Sequence, residues 1–310
     1  MNISSFVADI TPSQVEIDQI STSWNAIRDT IKNWMDIVWD SFLTWSYKRK
    51  TKVSPIDDLD IFFNISAGNI VYEVLASWDF MLYAKSSIPY SEHSLREYLT
   101  YNSNKVRYEL SPIKVLNAFK TRIKTAYPTT SGIVRNGQCI TVYLSSYSLT
   151  IDCVPYMGVA DEDFFLIPKW WVDLYWKKAN PKIDEEKINK LNDVEHYNGK
   201  LKWVIKVLKY WNKYKNSGVS FKSYVLESLI YHALNKNTNY SLSYVEILKI
   251  ALRFVYENVD VHRNIRDIPD YEYMYYDLDS IQKERLKSAL STLFDKLELS
   301  EDTFTTYLNS

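Results

Sequence analysis

The chain has 310 residues, 46% of them hydrophobic, which is enough apolar sequence for one large domain or two lobes with a real core. Its 37 basic and 38 acidic residues give a formal net charge of -1, so composition predicts no general attraction to nucleic acid or to membranes. The N-terminus lacks a signal-peptide pattern and no run of about 18 apolar residues occurs, which favours a cytoplasmic protein.

Metal-binding and disulfide patterns are also missing from the sequence. The two cysteines, Cys139 and Cys153, form neither a disulfide framework nor a zinc pattern, and the four histidines lie far apart. We therefore expect reduced thiols and no structural metal.

The N-terminal part begins with a helical pattern. Apolar residues recur at spacings of three and four between Thr11 and Phe42, which predicts one long helix with a start near Thr11 and Pro12. The stretch IDDLDIFFNI at residues 56–65 is rich in β-branched and aromatic residues and follows Pro55, so it predicts a strand. The region after this strand is polar and is expected to be helix-prone.

A second helix and a hairpin follow in sequence. Residues 111–126 place apolar residues on one side and carry Pro112 near the first turn, which predicts a helix. Residues 138–144 and 149–154 are β-rich and are separated by SSYS, which predicts a hairpin. This order of elements indicates an α+β lobe on a small mixed sheet.

The rest of the sequence is helical in pattern. Strand signals end at about residue 180, and helices are expected at 184–193, 201–214, 223–234, 243–259 and 281–297. We place the boundary between 169 and 180, with an N-terminal lobe of residues 1–175 and a helical lobe of residues 176–310.

The predicted strand and hairpin carry three aspartates with a common chemistry. Side chains alternate along a strand, so Asp58 and Asp60 project to one face and can share a hard divalent cation such as Mg²⁺. Asp152 lies in an apolar strand of the hairpin, where a charge without a partner is costly, and is the candidate for a third carboxylate. An isolated Asp-x-Asp is more often a surface turn or a helix cap.

These residues resemble a known family. SYKRKTKVSPIDDLDIFF (46–63) resembles the signature of the DNA polymerase β-like nucleotidyltransferases, in which Gly-Ser and a basic stretch precede Asp-x-Asp. It is most similar to the bacterial cGAS/DncV-like nucleotidyltransferases (CD-NTases), also called second messenger oligonucleotide or dinucleotide synthetases. IDCVPY (151–156), the stretch from Asn180 to Lys213 and KSYVLE (222–227) resemble further landmarks of that family, in the same order.

The resemblance implies a fold and an activity. The fold is α+β and two-lobed, with a small mixed sheet and a long helix in the N-terminal lobe and a C-terminal lobe like that of oligoadenylate synthase. The activity joins nucleoside triphosphates into a cyclic di- or trinucleotide, which in bacteria activates a downstream effector in anti-phage defence. A regulatory partner protein is compatible with the family; because the zinc-ligand insertion of animal cyclic GMP-AMP synthase is missing, direct binding of duplex DNA is not indicated.

The resemblance also assigns roles to residues. Asp58 and Asp60 would hold two Mg²⁺ or Mn²⁺ ions, and Asp152 would complete the second metal site and help to activate the attacking hydroxyl. Ser46, Lys209 and Ser223 would bind the triphosphate; the alternatives are a solvated helix residue for Lys209 and a helix cap for Ser223. Glu227 is expected to be structural.

One position departs from the family pattern. Trp45 stands where the family has the glycine that lets backbone approach phosphate. Two outcomes are compatible with Trp45: the loop shifts enough to admit nucleotide with the indole turned away, or the site is weakened and the protein acts as a nucleotide sensor. A toxin-like transferase that modifies RNA or protein is a further alternative, because it would share the Asp-x-Asp chemistry. The neighbouring Lys48, Arg49, Lys50 and Lys52 are interpreted singly as a solvated loop.

Overall fold

The computed structural model describes the chain except residues 1, 44–46, 48, 67, 131, 170–174, 217, 262–263 and 275–276 and the side chain of Trp34. Contacts divide the chain into two compact units. The helical unit comprises Met1–Ser13, Trp45–Pro55 and Pro181–Ser310, and the sheet unit comprises Gln14–Thr44 and Ile56–Asn180. The units therefore differ from a single division at 175/176, because residues 1–13 and 45–55 group with the C-terminal helices.

The elements of the described residues follow in chain order. They are α1 (Ile3–Asp9), α2 (Gln14–Trp34), β1 (Val38–Leu43), β2 (Asp58–Ile65), β3 (Ile70–Val74), β4 (Phe80–Ala84), β5 (Leu99–Asn102), β6 (Arg107–Leu110), α3 (Pro112–Ala126), β7 (Ile133–Asn136), β8 (Cys139–Leu144), β9 (Leu149–Gly158), β10 (Phe165–Pro168), β11 (Trp176–Ala179), α4 (Pro181–Asn192), α5 (Lys200–Tyr214), α6 (Ser223–Asn235), α7 (Tyr244–Glu257), α8 (Ser280–Leu299) and α9 (Glu301–Asn309). Every described strand belongs to the sheet unit.

The strands of the sheet unit form one mixed sheet. Its order is β1-β2-β9-β10-β11-β4-β6-β5, with β3 beside β4, β8 beside β9 and β7 beside β8. β2 and β9 run parallel, whereas the neighbouring pairs β1/β2 and β8/β9 are antiparallel. Ile61, Phe62 and Phe63 of β2 are fully buried, and Phe63 packs edge-on against Phe119 of α3. The core thus anchors β2 immediately after its two aspartates.

Several predictions for this unit are confirmed. The α+β class, a strand within residues 56–65, a helix within residues 111–126 and the hairpin of β8 and β9 all occur. The structure adds that Ser111 is the N-cap of α3. The single long helix to Phe42 is wrong, because α2 ends at Trp34 and Val38–Leu43 forms β1. A spacing of four residues, such as that from Val38 to Phe42, fits a strand as well as a helix. Four residues are close to one helical turn of 3.6 residues and equal two strand repeats of two residues, so both structures put the two side chains on one face.

The helix-prone expectation for the region after β2 is also wrong. Residues 70–110 contain β3, β4, β5 and β6, so the sheet is larger than the small one expected. The runs IVYEV and FMLYA are rich in β-branched and aromatic residues, and pairing with each other along their whole length stabilises them as strands.

The helical unit has its own apolar core. Leu208 and Trp211 of α5, Leu229 of α6 and Leu252 of α7 are at most 1% exposed and belong to one cluster of buried residues. Val53, from the segment 45–55, is part of the same cluster. The five predicted helices are confirmed, while the short α1 and α9 were not expected. Within the described chain no helix has the length and apolarity that crossing a membrane requires.

Candidate functional site

The three predicted aspartates lie on the two parallel strands of the sheet unit. Asp60 is paired in register with Asp152, and Asp58 with Thr150. Because paired residues of parallel strands share a face and residues two apart along a strand do too, all three aspartates lie on one face. Neighbouring strands are about 4.8 Å apart and residues two apart are separated by about 6.6 Å. Asp58 is exposed, and Asp60 and Asp152 are half-buried.

A hydrogen bond orients the third carboxylate. β8 pairs with β9 on the side opposite to β2, and this pairing sets Thr141 directly beside Asp152. The Thr141 hydroxyl Oγ1 donates to Asp152 Oδ1 at 2.6 Å. One carboxylate oxygen is thereby held, and a carboxylate has a second oxygen that can bind a cation. Thr141 is a functional candidate that the sequence analysis missed.

Next to this hydrogen bond lies a buried cysteine. Cys139 is 4% exposed, its Sγ lies 3.7 Å from Thr141 Oγ1, and the thiol donates to the backbone oxygen of Asn136 at 3.1 Å. Burial, and then the negative charge of Asp152, raise the pKa of the Cys139 thiol, so it stays neutral. Cys153 is also a buried free thiol, and burial raises its pKa too.

The donor set fits a hard cation. The aspartates offer only carboxylate oxygens, which Mg²⁺ and Mn²⁺ prefer, and Mg²⁺ in enzymes usually takes one or two carboxylates together with water and substrate phosphate. No group of three or more His, Cys, Asp or Glu side chains in the described residues is close enough to hold a metal ion as it stands. The role of Asp58, Asp60 and Asp152 as metal ligands therefore stays a prediction.

Lys209, predicted to bind triphosphate, belongs to the helical unit. It is 8% exposed, and its Nζ donates to Glu227 Oε1 at 2.7 Å. The alternative of a solvated helix residue is therefore wrong. Glu227, which was expected to be structural, is 1% exposed. Its carboxylate accepts hydrogen bonds from several side chains of the helical unit.

Glu227 also binds the segment that precedes the Asp-x-Asp motif. The Arg49 guanidinium Nη2 donates to Glu227 Oε2, and Thr51 Oγ1 donates to Glu227 Oε1 at 3.2 Å. Arg49 is 1% exposed, Thr51 is completely buried and Lys52 is 6% exposed, whereas Lys50 is exposed. The interpretation of Arg49 and Lys52 as solvated loop residues is wrong, because a buried glutamate on α6 binds this segment.

The network contains a second carboxylate with different properties. Arg49 Nη1 lies 3.9 Å from Asp184 Oδ2, and the Tyr224 hydroxyl donates to Asp184 Oδ1 at 3.2 Å. Burial raises the pKa of Asp184 to about 7, against the opposing charge of Arg49. Burial would also raise the pKa of Glu227, but the charges of Arg49 and Lys209 outweigh it and lower that pKa to about 2. Glu227 is therefore the ionised partner of the two cations.

The remaining triphosphate candidates are Ser223, at the start of a helix, and Ser46, which lies outside the described residues. Ser223 is exposed and is the first residue of α6, and Lys222, not Ser223, is its N-cap. The helix-cap alternative for Ser223 is therefore wrong. Ser46 and Trp45 lie outside the described residues.

The missed residues differ in how far the sequence could have revealed them. The SSYS turn of the predicted hairpin sets the register of β8 and β9, so Thr141 could have been placed opposite Asp152 from the sequence. Arg49 and Glu227 are 178 positions apart, and no local pattern joins them. Only the packing of the helical unit shows their contact.

Known proteins share parts of this sequence. Residues 1–82, which include Asp58 and Asp60, match the family model described as Second Messenger Oligonucleotide or Dinucleotide Synthetase domain. A probable cyclic nucleotide synthase of Bacillus cereus (strain VD146) is 25% identical over 190 residues, 60% of this chain, and the match spans only about half, 53%, of that relative. A cyclic AMP-AMP-AMP synthase of Acinetobacter sp. (strain ATCC 27244 / 9458) is 22% identical over 296 residues, 94% of this chain and 74% of the relative.

Solved structures share the fold over almost the whole chain. Escherichia coli DncV, in a form with bound 3′-deoxy GTP, has a TM-score of 0.68 at 12% identity, covering 98% of this chain and 92% of DncV. CdnC of E. coli MS115-1, in a CdnC:HORMA-deltaN complex, has a TM-score of 0.62 at 14% identity, covering 98% of this chain and 94% of the other. The family model and the two relatives, together with this shared fold, support the assignment of the chain to the cGAS/DncV-like nucleotidyltransferases.

Proposed function

We propose that the protein is a nucleotidyltransferase that makes a cyclic di- or trinucleotide second messenger from nucleoside triphosphates. The observation that carries the proposal is the register of β2 and β9, which sets Asp60 opposite Asp152 with Asp58 on the same face. One relative is named a probable cyclic nucleotide synthase, and the other is named for a cyclic product of three AMP units. Transfer would occur by attack of a ribose hydroxyl on the α-phosphate of the donor, which breaks the bond from the α-phosphorus to the bridging oxygen and releases pyrophosphate.

The aspartates need cations for this chemistry. Three carboxylates on one face would repel a triphosphate, so a divalent metal has to lie between them and the substrate. Two Mg²⁺ or Mn²⁺ ions, when bound, would stabilise the attacking and leaving oxygens. Asp58 and Asp60 would hold both ions, and Asp152 would complete the second site.

Asp152 would also act on the attacking hydroxyl. Its carboxylate would accept the proton that the attacking hydroxyl loses. A general base in this role has to lie within hydrogen-bond distance of the hydroxyl. The hydrogen bond from Thr141 at 2.6 Å fixes one oxygen of this carboxylate, so Thr141 would be a positioning residue for Asp152.

The helical unit would supply groups for the triphosphate. The Lys209 ammonium has three donors, and Glu227 holds one of them at 2.7 Å, which orients the group. Ser223 starts a helix of 13 residues, and the first backbone N–H groups of such a helix attract anions. Lys209, Ser223 and Ser46 would bind the phosphates of the donor nucleotide.

The proposed biology follows from the family. The protein would signal in bacterial anti-phage defence, in the cytoplasm, by activating a downstream effector through its product. CdnC, which shares the fold, was solved with a HORMA protein, and this supports a regulatory partner protein for the present chain.

One observation favours a second candidate function. Trp45 replaces a glycine at the position where backbone would meet phosphate, and the bulk of indole there would weaken triphosphate binding. A sensor that binds nucleotide without turnover does not need the phosphates placed for transfer, so it would tolerate weaker and less exact binding better than a synthase would. A transferase acting on RNA or protein would share the carboxylates but would give no small product.

The test is incubation of the purified protein with the four labelled ribonucleoside triphosphates and Mg²⁺ or Mn²⁺. Products are treated with phosphatase and separated by chromatography, beside the double variant Asp58→Asn, Asp60→Asn. A small product that resists phosphatase and is lost in the variant is expected. Label found only in added RNA or protein would favour the toxin-like transferase, and metal-independent nucleotide binding without turnover under every pairing would favour the sensor.

A further inference from the structure

An open groove of about 280 Å³ lies between helices α7 and α8 of the helical unit. Lys249 of α7 is paired with Glu298 of α8 at 2.9 Å. Asp260, just beyond the end of α7, is paired with Lys287 of α8, so the two helices run antiparallel. On both helices the residues that line the groove fall between these two ion pairs in sequence. The ion pairs therefore join the helices at either end of the groove.

The floor of the groove is apolar. Leu252 of α7 and Leu290 of α8 are buried members of the core cluster, and the half-buried Phe294 packs against that cluster. Ser291 also lines the groove, and its short side chain leaves room that a larger residue would fill. Ligand pockets usually measure about 300–1,000 Å³, so a groove at the lower end of that range fits a molecule the size of an amino acid better than a nucleotide.

Two opposite charges lie at the rim of the groove. Arg253 and Glu257 of α7 both line it, and both are exposed. They are separated by about 6 Å along the helix axis and lie on the same helix face. Neither side chain has an ion pair or a hydrogen bond within the part of the chain that the structure describes. Glu257 is also the last residue of α7, where the helix dipole disfavours a negative charge, so a bound cation would stabilise it there.

The combination of these two charges with an apolar floor distinguishes the groove from the rest of the surface. Water satisfies a single exposed charge, but a molecule lying on the apolar floor can meet Arg253 and Glu257 at once. A polyanion such as a nucleotide would be repelled by Glu257, and one carboxylate is too few to hold a metal ion. A fatty acid or a simple amine would pair with only one of the two charges. A molecule with one carboxylate, one ammonium and an apolar group matches every part of the groove.

We propose that this groove binds a free α-amino acid with a large apolar side chain. The Arg253 guanidinium donates to the carboxylate of the ligand, for which its planar set of donors is suited, and Glu257 accepts a hydrogen bond from the ammonium of the ligand. The apolar side chain of the ligand lies against the floor of the groove and is removed from water. The site does not rest on the proposed synthase activity, and it uses neither the three aspartates nor Lys209.

The first experiment measures binding of L-phenylalanine to the purified protein by ligand-observed NMR at low ionic strength. No nucleotide or divalent metal is added, so the result does not depend on whether the protein is a synthase. Kd is expected in the millimolar range or below, as is usual for so small a ligand in an open groove. Phenylpropionate lacks the ammonium and phenylethylamine lacks the carboxylate, and each should bind about three- to fivefold more weakly than phenylalanine.

Single variants assign the two contacts. Arg253→Gln should weaken phenylalanine binding about three- to fivefold without weakening phenylethylamine binding, and Glu257→Gln should do the same without weakening phenylpropionate binding. A purely structural role of either residue would change all three affinities together. The matched controls are Lys190→Gln and Glu186→Gln on α4, which carry the same charge changes at exposed positions four residues apart and outside the groove. Both controls should bind phenylalanine as the wild type does.

A steric variant tests the groove while keeping its charges. Ser291→Trp should fill the groove and abolish binding, whereas Ser288→Trp, at an exposed position of α8 outside the groove, should leave Kd unchanged. N-acetyl-phenylalanine amide carries the side chain without either charge and represents a phenylalanine of a partner protein. If it binds as tightly as phenylalanine, the groove recognises a peptide side chain and the proposal is wrong. No phenylalanine binding at about 10 mM, or equal affinity of wild type, Arg253→Gln and Glu257→Gln, would overturn it as well.

Discussion

The replacement Glu227→Gln tests whether the buried charge network stabilises the helical unit. The change keeps the shape of the side chain but removes the charge of the carboxylate to which both Arg49 and Lys209 donate. Both cations are then buried, at 1% and 8% exposure, without the charge of Glu227. Breaking a buried ion pair in this way typically costs about 3–5 kcal/mol.

The matched control is Glu298→Gln, which breaks an ion pair on the surface of the same unit. Lys249 Nζ lies 2.9 Å from Glu298 Oε1, and the side chains are 33% and 48% exposed. Such pairs contribute about 0–1 kcal/mol. Urea unfolding followed by far-UV circular dichroism should therefore show a large loss in the free energy of unfolding for Glu227→Gln and a small one for the control.

The pH dependence gives a second test of the same reasoning. Glu227 has a pKa of about 2 in the folded protein, below its ordinary value of 4.5, so its contribution is complete above pH 4.5 and is lost as pH falls toward 2. The difference in unfolding free energy between wild type and Glu227→Gln should shrink over that window. A variant as stable as the Glu298→Gln control at pH 7, or a difference that does not change below pH 4.5, would refute the network's role in stability.

Three further changes have defined outcomes. Thr141→Val removes the hydrogen bond to Asp152 Oδ1, so Mn²⁺ affinity measured by calorimetry should fall about 10–100-fold, with recovery in Thr141→Ser; unchanged affinity would contradict the positioning role. Asp184 has a pKa raised from 3.8 to about 7, so the folded state binds the extra proton and stability falls as pH rises from about 4 to 7, by at most about 1.4 kcal/mol per pH unit. Asp184→Asn should flatten the stability profile there, and a profile identical to wild type would count against it. Trp45→Gly should lower KM for nucleoside triphosphate if indole crowds the phosphates, and an unchanged or higher KM would show that Trp45 does not obstruct the site.

The sequence predicted the local parts of the site well. β2 and the hairpin of β8 and β9 follow from alternation and turn residues, and the helices beyond residue 180 follow from their spacing of apolar residues. Alternation alone also placed Asp58 and Asp60 on one face. Each of these features is determined by a short stretch of sequence, so the spacing of apolar side chains and the turn residues are enough to predict it.

The non-local parts could not be derived in the same way. The parallel pairing of β2 with β9 joins Asp60 to a residue far along the chain. The cost of a charge in an apolar strand singled out Asp152, but no local pattern predicts which strand it pairs with. The strands at 70–110 are stabilised by pairing with each other, which a reading of polarity alone missed. The basic residues near Arg49 resembled a solvated loop because their buried acceptor, Glu227, is distant in sequence.

The charge network explains why a basic segment directly precedes the carboxylate strand. Arg49 and Thr51 bind Glu227 in the helical unit, and Val53 enters its core, whereas Asp58 seven residues after Thr51 already begins β2 of the sheet unit. The short covalent connection therefore runs from a buried ion pair to the candidate metal ligands. A basic side chain that only faced solvent in a loop could be replaced by any polar residue. Arg49 instead offers a planar set of donors to the buried carboxylate of Glu227, and a lysine at this position would bind that carboxylate less well.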